Sequence, residues 1–213
     1  MTPADRIRKL VADGRVGTAE GERLLATLER AGSGKLARLD PFVRFGGGVA
    51  AVVGVVGAVA SLGIARLGVR FDGVLDLHVG AAHAPSITTA VADQAVAFVL
   101  PALAFWAYAR AQSAHVRLVD FFGMIGLARI PVIAGALPIL ALAPPVDPSA
   151  LHLSPALLVV AFLSFVMLGS NITLMFFGFR NASGLAGTKL GVGFAGVLVA
   201  AEIVSKIALI SVH

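Results

Sequence analysis

Five long apolar stretches, each longer than the roughly 18 residues that read as a membrane-crossing helix, follow one another from Phe45 onward. In hydrocarbon a backbone must satisfy its own N–H and C=O groups, which leaves helices and closed barrels. The stretches are continuous and do not alternate, so helices are expected: about Phe45–Ala65, Thr88–Ala109, Val119–Ala143, Pro155–Phe179 and Leu190–Val212. A hydrophobic share of 58%, against about 45–50% in ordinary soluble domains, agrees with a bilayer as the solvent. The fold class read from the sequence is all-α and polytopic, with five transmembrane helices.

Ahead of the spans stand 44 residues of different character, carrying nine Lys/Arg and six Asp/Glu. Thr2 can cap a first helix with Pro3 at its first position, Asp5 completes a capping-box spacing, and Gly14 can end the run. Ile7, Leu10 and Val11 share one face, and Leu24, Leu25 and Leu28 of a second helix are expected to meet it. Residues 1–30 are therefore read as a small cytoplasmic helical hairpin, 31–44 as a linker, and 45–213 as the membrane domain. Near charge balance in the head argues against nucleic acid as a partner.

Basic residues near the span ends set the expected orientation. The head, Arg110, Arg117, Arg180 and Lys189 place thirteen Lys/Arg on one side, whereas the other side has only Arg66 and Arg70. The N-terminus is expected in the cytoplasm and the C-terminus outside, in the cytoplasmic membrane. The N-terminus lacks the basic-then-apolar pattern of a cleavable signal, and none is expected. In the first outer loop, Val69, Phe71, Val74, Leu75, Leu77 and Val79 alternate around Asp72-Gly73, the pattern of a short β-hairpin.

Inside the spans, ionisable side chains carry most of the information, because a charge at mid-bilayer costs at least about 2.5–3.5 kcal/mol. Arg129 and Glu202 fall at comparable depths, roughly 15 and 18 Å from one side at 1.5 Å per residue. A direct pair clamping two helices is the first expectation, and a gate or transport contact the second. Lys206 lies one turn beyond Glu202 in the favourable order, and Asn171 is placed to join by hydrogen bonds. Pro101, Pro131 and Pro138 each remove a helical hydrogen bond. Small residues at Gly46, Gly47, Gly48, Gly54, Gly57 and Ser61, and again at Gly187, Gly191 and Ala195, are expected to let helices approach closely inside the bundle.

Catalytic chemistry finds little support. The chain has no cysteine, which removes thiolate catalysis, disulfides and Cys-based zinc sites. No Gly-x-Ser-x-Gly, Walker or dinucleotide motif occurs. Asp120 near His115 reads as a charge at a helix N-terminus. Asn171-Ile-Thr and Asn181-Ala-Ser mimic glycosylation sites but fall on a span and on a cytoplasmic loop. His78, His83, His152 and His213 share a side with Asp72, Asp76 and Asp147, without the spacing of a familiar zinc enzyme. They are read as solvated loop residues, and no catalytic residue, cofactor or metal is expected.

Two resemblances add to this reading. Gly14-Arg15-Val16-Gly17-Thr18-Ala19-Glu20-Gly21-Glu22-Arg23-Leu24-Leu25 resembles the short helical module of SHOCT-like domains, with Gly17 where a capping Ser/Thr is usual and Gly21 where Ala is usual. That resemblance implies a protein-interaction or oligomerisation module. Phe71-Asp72-Gly73-Val74-Leu75-Asp76-Leu77-His78, Ala128-Arg129-Ile130-Pro131 and Glu202-Ile203-Val204-Ser205-Lys206 resemble the Yip1 family of five-span proteins, without the short acidic and Gly-Pro signatures of its eukaryotic members. A bacterial Yip1-like protein implies a non-enzymatic membrane scaffold or a transporter accessory, with protein partners bound through residues 1–30.

Overall fold

The computed structural model describes residues 3–33, 40–43, 45–79, 84–112, 116–142 and 154–210. The chain divides into two compact units, Met1–Arg44 and Phe45–His213. His83, His115, Asp147, His152, His213 and half of the expected linker, residues 34–39 and 44, lie outside the described residues.

In the first unit, α1 (Pro3–Ala12) and α2 (Thr18–Ser33) form a helical hairpin. Gly14, at φ +67°, supplies the left-handed turn after α1, and the Arg15 N–H donates to the Leu10 carbonyl at 2.9 Å, as in a glycine-terminated helix. The helices touch at Gly21, where an added methyl would overlap the γ-methyl of Val11. The glycine that weakens helix propensity thus makes room for the partner helix. Leu24 and Leu28, expected on that contact, are instead exposed: the approach is centred on Gly21 and Val11. The second helix also runs on through Ala31, Gly32 and Ser33, into the stretch expected as linker.

The second unit is an all-α, five-span membrane domain. Its helices are α3 (Gly47–Ala65), α4 (Ile87–Gln112), α5 (Leu118–Ala128), α6 (Ile130–Leu142), α7 (Pro155–Ser183) and α8 (Gly187–Ile210). Of these α5 and α6 together make one span, so that among the described residues five segments are long and apolar enough to cross a bilayer. Ser154 caps α7 by accepting from the Leu157 N–H at 3.2 Å, and Gly184 at φ +66° ends it.

Contact between α3 and α5 is the closest in the bundle. Ala50, Gly54, Gly57, Ser61 and Ala65 form the buried stripe of α3, and Gly123 and Gly126 of α5 meet it backbone to backbone. A Cβ at Gly126 would lie 3.1 Å from the Gly54 nitrogen, and one at Gly123 2.9 Å from the Ala50 Cβ. The last span differs from expectation: Gly191 is open and Ala195 exposed. Gly193 carries the close approach there, beneath the ring of Tyr108, whose hydroxyl donates to the Lys189 carbonyl at 3.0 Å.

The two ends of the domain are built differently. At one end Phe105, Phe121, Phe179 and Phe194, all buried, pack with ring centroids 5.0–6.4 Å apart. At the other, residues 66–79 fold back into the helices. Here β1 (Val69–Arg70) and β2 (His78–Val79) pair antiparallel, Val69 opposite Val79 and Arg70 opposite His78. The expected tight turn at Asp72-Gly73 does not form, because Gly73 lacks the positive φ that turn requires. Val69 and Phe71 enter a core with Val132, Ile133, Ala136 and Ile139 of α6 and Met167 of α7.

Candidate functional site: a turn held between intramembrane charges

Irregular backbone at membrane depth is tolerated only where other protein groups satisfy it. The turn Gly73–Leu75 meets this requirement through side chains from two spans. The Val74 and Leu75 N–H groups both donate to Glu202 Oε2 at 3.1 Å. From the opposite direction Arg129 Nη1 donates to the carbonyls of Gly73 at 3.4 Å and Val74 at 3.3 Å. The carboxylate takes the donors and the guanidinium takes the acceptors of the same turn. Arg129 is 3% exposed. The direct Arg129–Glu202 pair expected from the sequence is not formed: the loop backbone stands between the two charges, because matching depth does not bring α8 onto the third span.

Local sequence explains how Arg129 comes to this position. Pro131 has no N–H to offer the Leu127 carbonyl and its ring crowds that turn, so the third span breaks between α5 and α6 at Arg129 itself. Arg129 keeps backbone continuity, donating to Ile125 and accepting from Ile133, both at 3.0 Å. In α4, Pro101 leaves the Ala97 carbonyl without its helical donor. Arg129 Nη1 reaches that carbonyl at 3.4 Å. The proline of one span therefore supplies an acceptor to the charge of another.

Lys206 holds the loop beside Glu202. Its Nζ donates to the Asp72 carbonyl at 3.1 Å, forms a short ion pair with Asp76, and lies 3.9 Å from Glu202 Oε1. Gly73 is needed for this crowding, since a Cβ there would sit 3.2 Å from both Glu202 Oε1 and Lys206 Nζ. Asp72 bonds His78 Nδ1 at 2.7 Å. The expected network thus assembles in part: Arg129, Glu202 and Lys206 surround one turn, while the buried Asn171 amide, like Arg129 Nε and Nη2, has no hydrogen-bond partner among the described residues.

A second ion pair escaped the sequence reading. Arg70 of β1 meets Asp93 of α4 at 3.3–3.4 Å, with the Asp93 carboxylate 2% exposed. Its signal in the sequence is an acid within an apolar stretch; Arg70 reads there as a flanking charge. At the opposite end Asp120 lies in the first turn of α5 and pairs with Arg117 at 2.8 Å. Hydrogen bonding to Asp120, then its charge, holds the exposed Arg117 guanidinium above its ordinary pKa. A groove of about 250 Å³ between α3 and α4 has an apolar lining that includes Val55, Val59, Leu62 and Phe98.

No family model, curated protein or solved structure matches the chain.

Proposed function

We propose that the chain is a non-catalytic integral-membrane scaffold of the Yip1-like type, with its N-terminal unit as the contact for protein partners. One observation carries this reading: the two costly intramembrane charges both end on the backbone of Gly73–Leu75. Charges so engaged stabilise a fixed surface. Basic flanks, thirteen against two, favour a cytoplasmic N-terminus in the cytoplasmic membrane. On that orientation the pinned loop faces outward and the SHOCT-like hairpin inward, an arrangement suited to an adaptor. The test is affinity purification of the full chain and of a chain lacking residues 1–33 from the same membranes. The reading expects partners to be lost with the hairpin while the membrane domain stays folded; identical complexes from both would overturn it.

A transport role is favoured by one specific feature, the buried Arg129 Nε and Nη2 that lack partners among the described residues. Withdrawal of the loop would take the Gly73 and Val74 carbonyls from Nη1, leaving it the Ala97 carbonyl alone, and expose Glu202. Purified chain in proteoliposomes discriminates the two: ion or solute flux that vanishes in Arg129→Gln supports transport, and a tight vesicle supports the scaffold.

A further inference from the structure

The side chains of the pinned loop, as distinct from its backbone, form a second arrangement. One carboxylate oxygen each from Asp72 and Asp76 and one imidazole nitrogen of His78 lie within 4.8 Å of one another. None of these side chains is used by Arg129 or Glu202, which hold the turn through main-chain atoms. The scaffold beneath the three is nonetheless fixed, by the Arg70–His78 strand pairing on one side and by the Val74 and Leu75 amides on Glu202 between them. His78 and Asp76 are open to solvent, with side chains 63% and 43% exposed.

A cation already occupies the cluster, and it comes from a different element. Lys206 Nζ of α8 sits against Asp76 and the Asp72 carbonyl. Charge around the turn still does not balance: the carboxylates of Asp72, Asp76 and Glu202 face the cations of Lys206 and Arg129, three against two. Arg70 is paired with Asp93 and adds nothing.

We propose that Asp72, Asp76 and His78 bind a divalent first-row transition ion of the Zn2+ class, and that the ion and the Lys206 ammonium compete for Asp76. One imidazole with two carboxylates suits such ions, whereas Ca2+ takes six to eight oxygens. Ligands about 2.0–2.2 Å from a shared ion stand at most about 4.4 Å apart, a spread close to the 4.8 Å within which the three atoms lie. On binding, Lys206 moves from Asp76 to Glu202 Oε1, 3.9 Å away, and keeps its proton.

The test uses the full chain in lipid nanodiscs, with Zn2+ titrated against a chromogenic chelator and Ca2+ as the control ion. Wild type takes up one saturable Zn2+ whose affinity exceeds that for Ca2+. Lys206→Met binds more tightly, by on the order of tenfold, because a charge-assisted competitor is gone. His78→Ala weakens binding by at least about tenfold at an unchanged melting temperature, since this exposed ring supports no packing. Histidines elsewhere in the chain are separated by that variant: His78→Ala binding like wild type overturns the proposal, as does the absence of saturable Zn2+ uptake in both wild type and Lys206→Met, or equal affinity for Ca2+.

Discussion

The two ends of the membrane domain solve the same problem with different physics. At the aromatic end, four buried phenylalanines from α4, α5, α7 and α8 fill the space between helices that already satisfy their own backbones. Dispersion and shape suffice there. At the loop end the chain brings non-helical backbone into the bundle, and apolar side chains cannot answer its N–H and C=O groups. Charged side chains do, one sign for each polarity of the turn. Aromatic packing closes a helical end, whereas a folded-in loop demands ionised groups placed at depth.

The sharpest way to break this comparison is to reverse the charges. Arg129→Glu and Glu202→Arg should each destabilise by about 3–5 kcal/mol, as removal of one member of a buried charged set does. A direct ion pair would recover in the double reversal. Here the double variant should stay as unstable as the sum of the singles, because a carboxylate at 129 would face the Gly73 and Val74 carbonyls and a guanidinium at 202 would face amides. Unfolding of all four proteins in one detergent, read as a double-mutant cycle, measures it; strong recovery would restore the direct clamp.

At the aromatic end, Phe179→Ala should cost about 3–5 kcal/mol through the cavity it leaves, without altering hydrogen exchange at Val74 and Leu75. Between the ends, Gly126→Val should cost about 1–3 kcal/mol by forcing α5 away from α3, again sparing those two amides. Glu202→Gln keeps the shape but replaces charge-assisted bonds by neutral ones, a loss of about 1–2 kcal/mol. Its signature is exchange at Val74 and Leu75 that speeds up while the aromatic end stays protected. The smallest effect belongs to Pro101→Ala, which returns a helical donor to the Ala97 carbonyl and takes an acceptor from Arg129. Net stability should change by less than about 1 kcal/mol, with faster exchange confined to the turn.

Legibility from sequence followed the cost of each feature. The spans were readable because hydrocarbon imposes a minimum apolar length, and Arg129 and Glu202 because a charge at depth needs a partner. That the partner is main chain was not readable, since carbonyls and amides belong to every residue and carry no letter. Asp93 carried the same signal as Arg129 and was missed. Gly54 and Gly57 marked a small face on α3, but a single-helix pattern does not say which neighbour it meets, so Gly123 and Gly126 stayed hidden. For the same reason Gly191 was preferred to Gly193, whose role depends on a tyrosine from another span. Asn171 was assigned to the charge network by depth alone, and depth does not fix which way a helix is turned.

The bonds that close the turn join residues 128 and 127 positions apart. At about 5–20 residues per second of synthesis, Glu202 emerges roughly 6–25 s after Val74. For that interval the loop has its guanidinium partner at best and no carboxylate. The first connection to be made is therefore the last part of the domain to be finished, and arrival of the fifth span is the event that completes it.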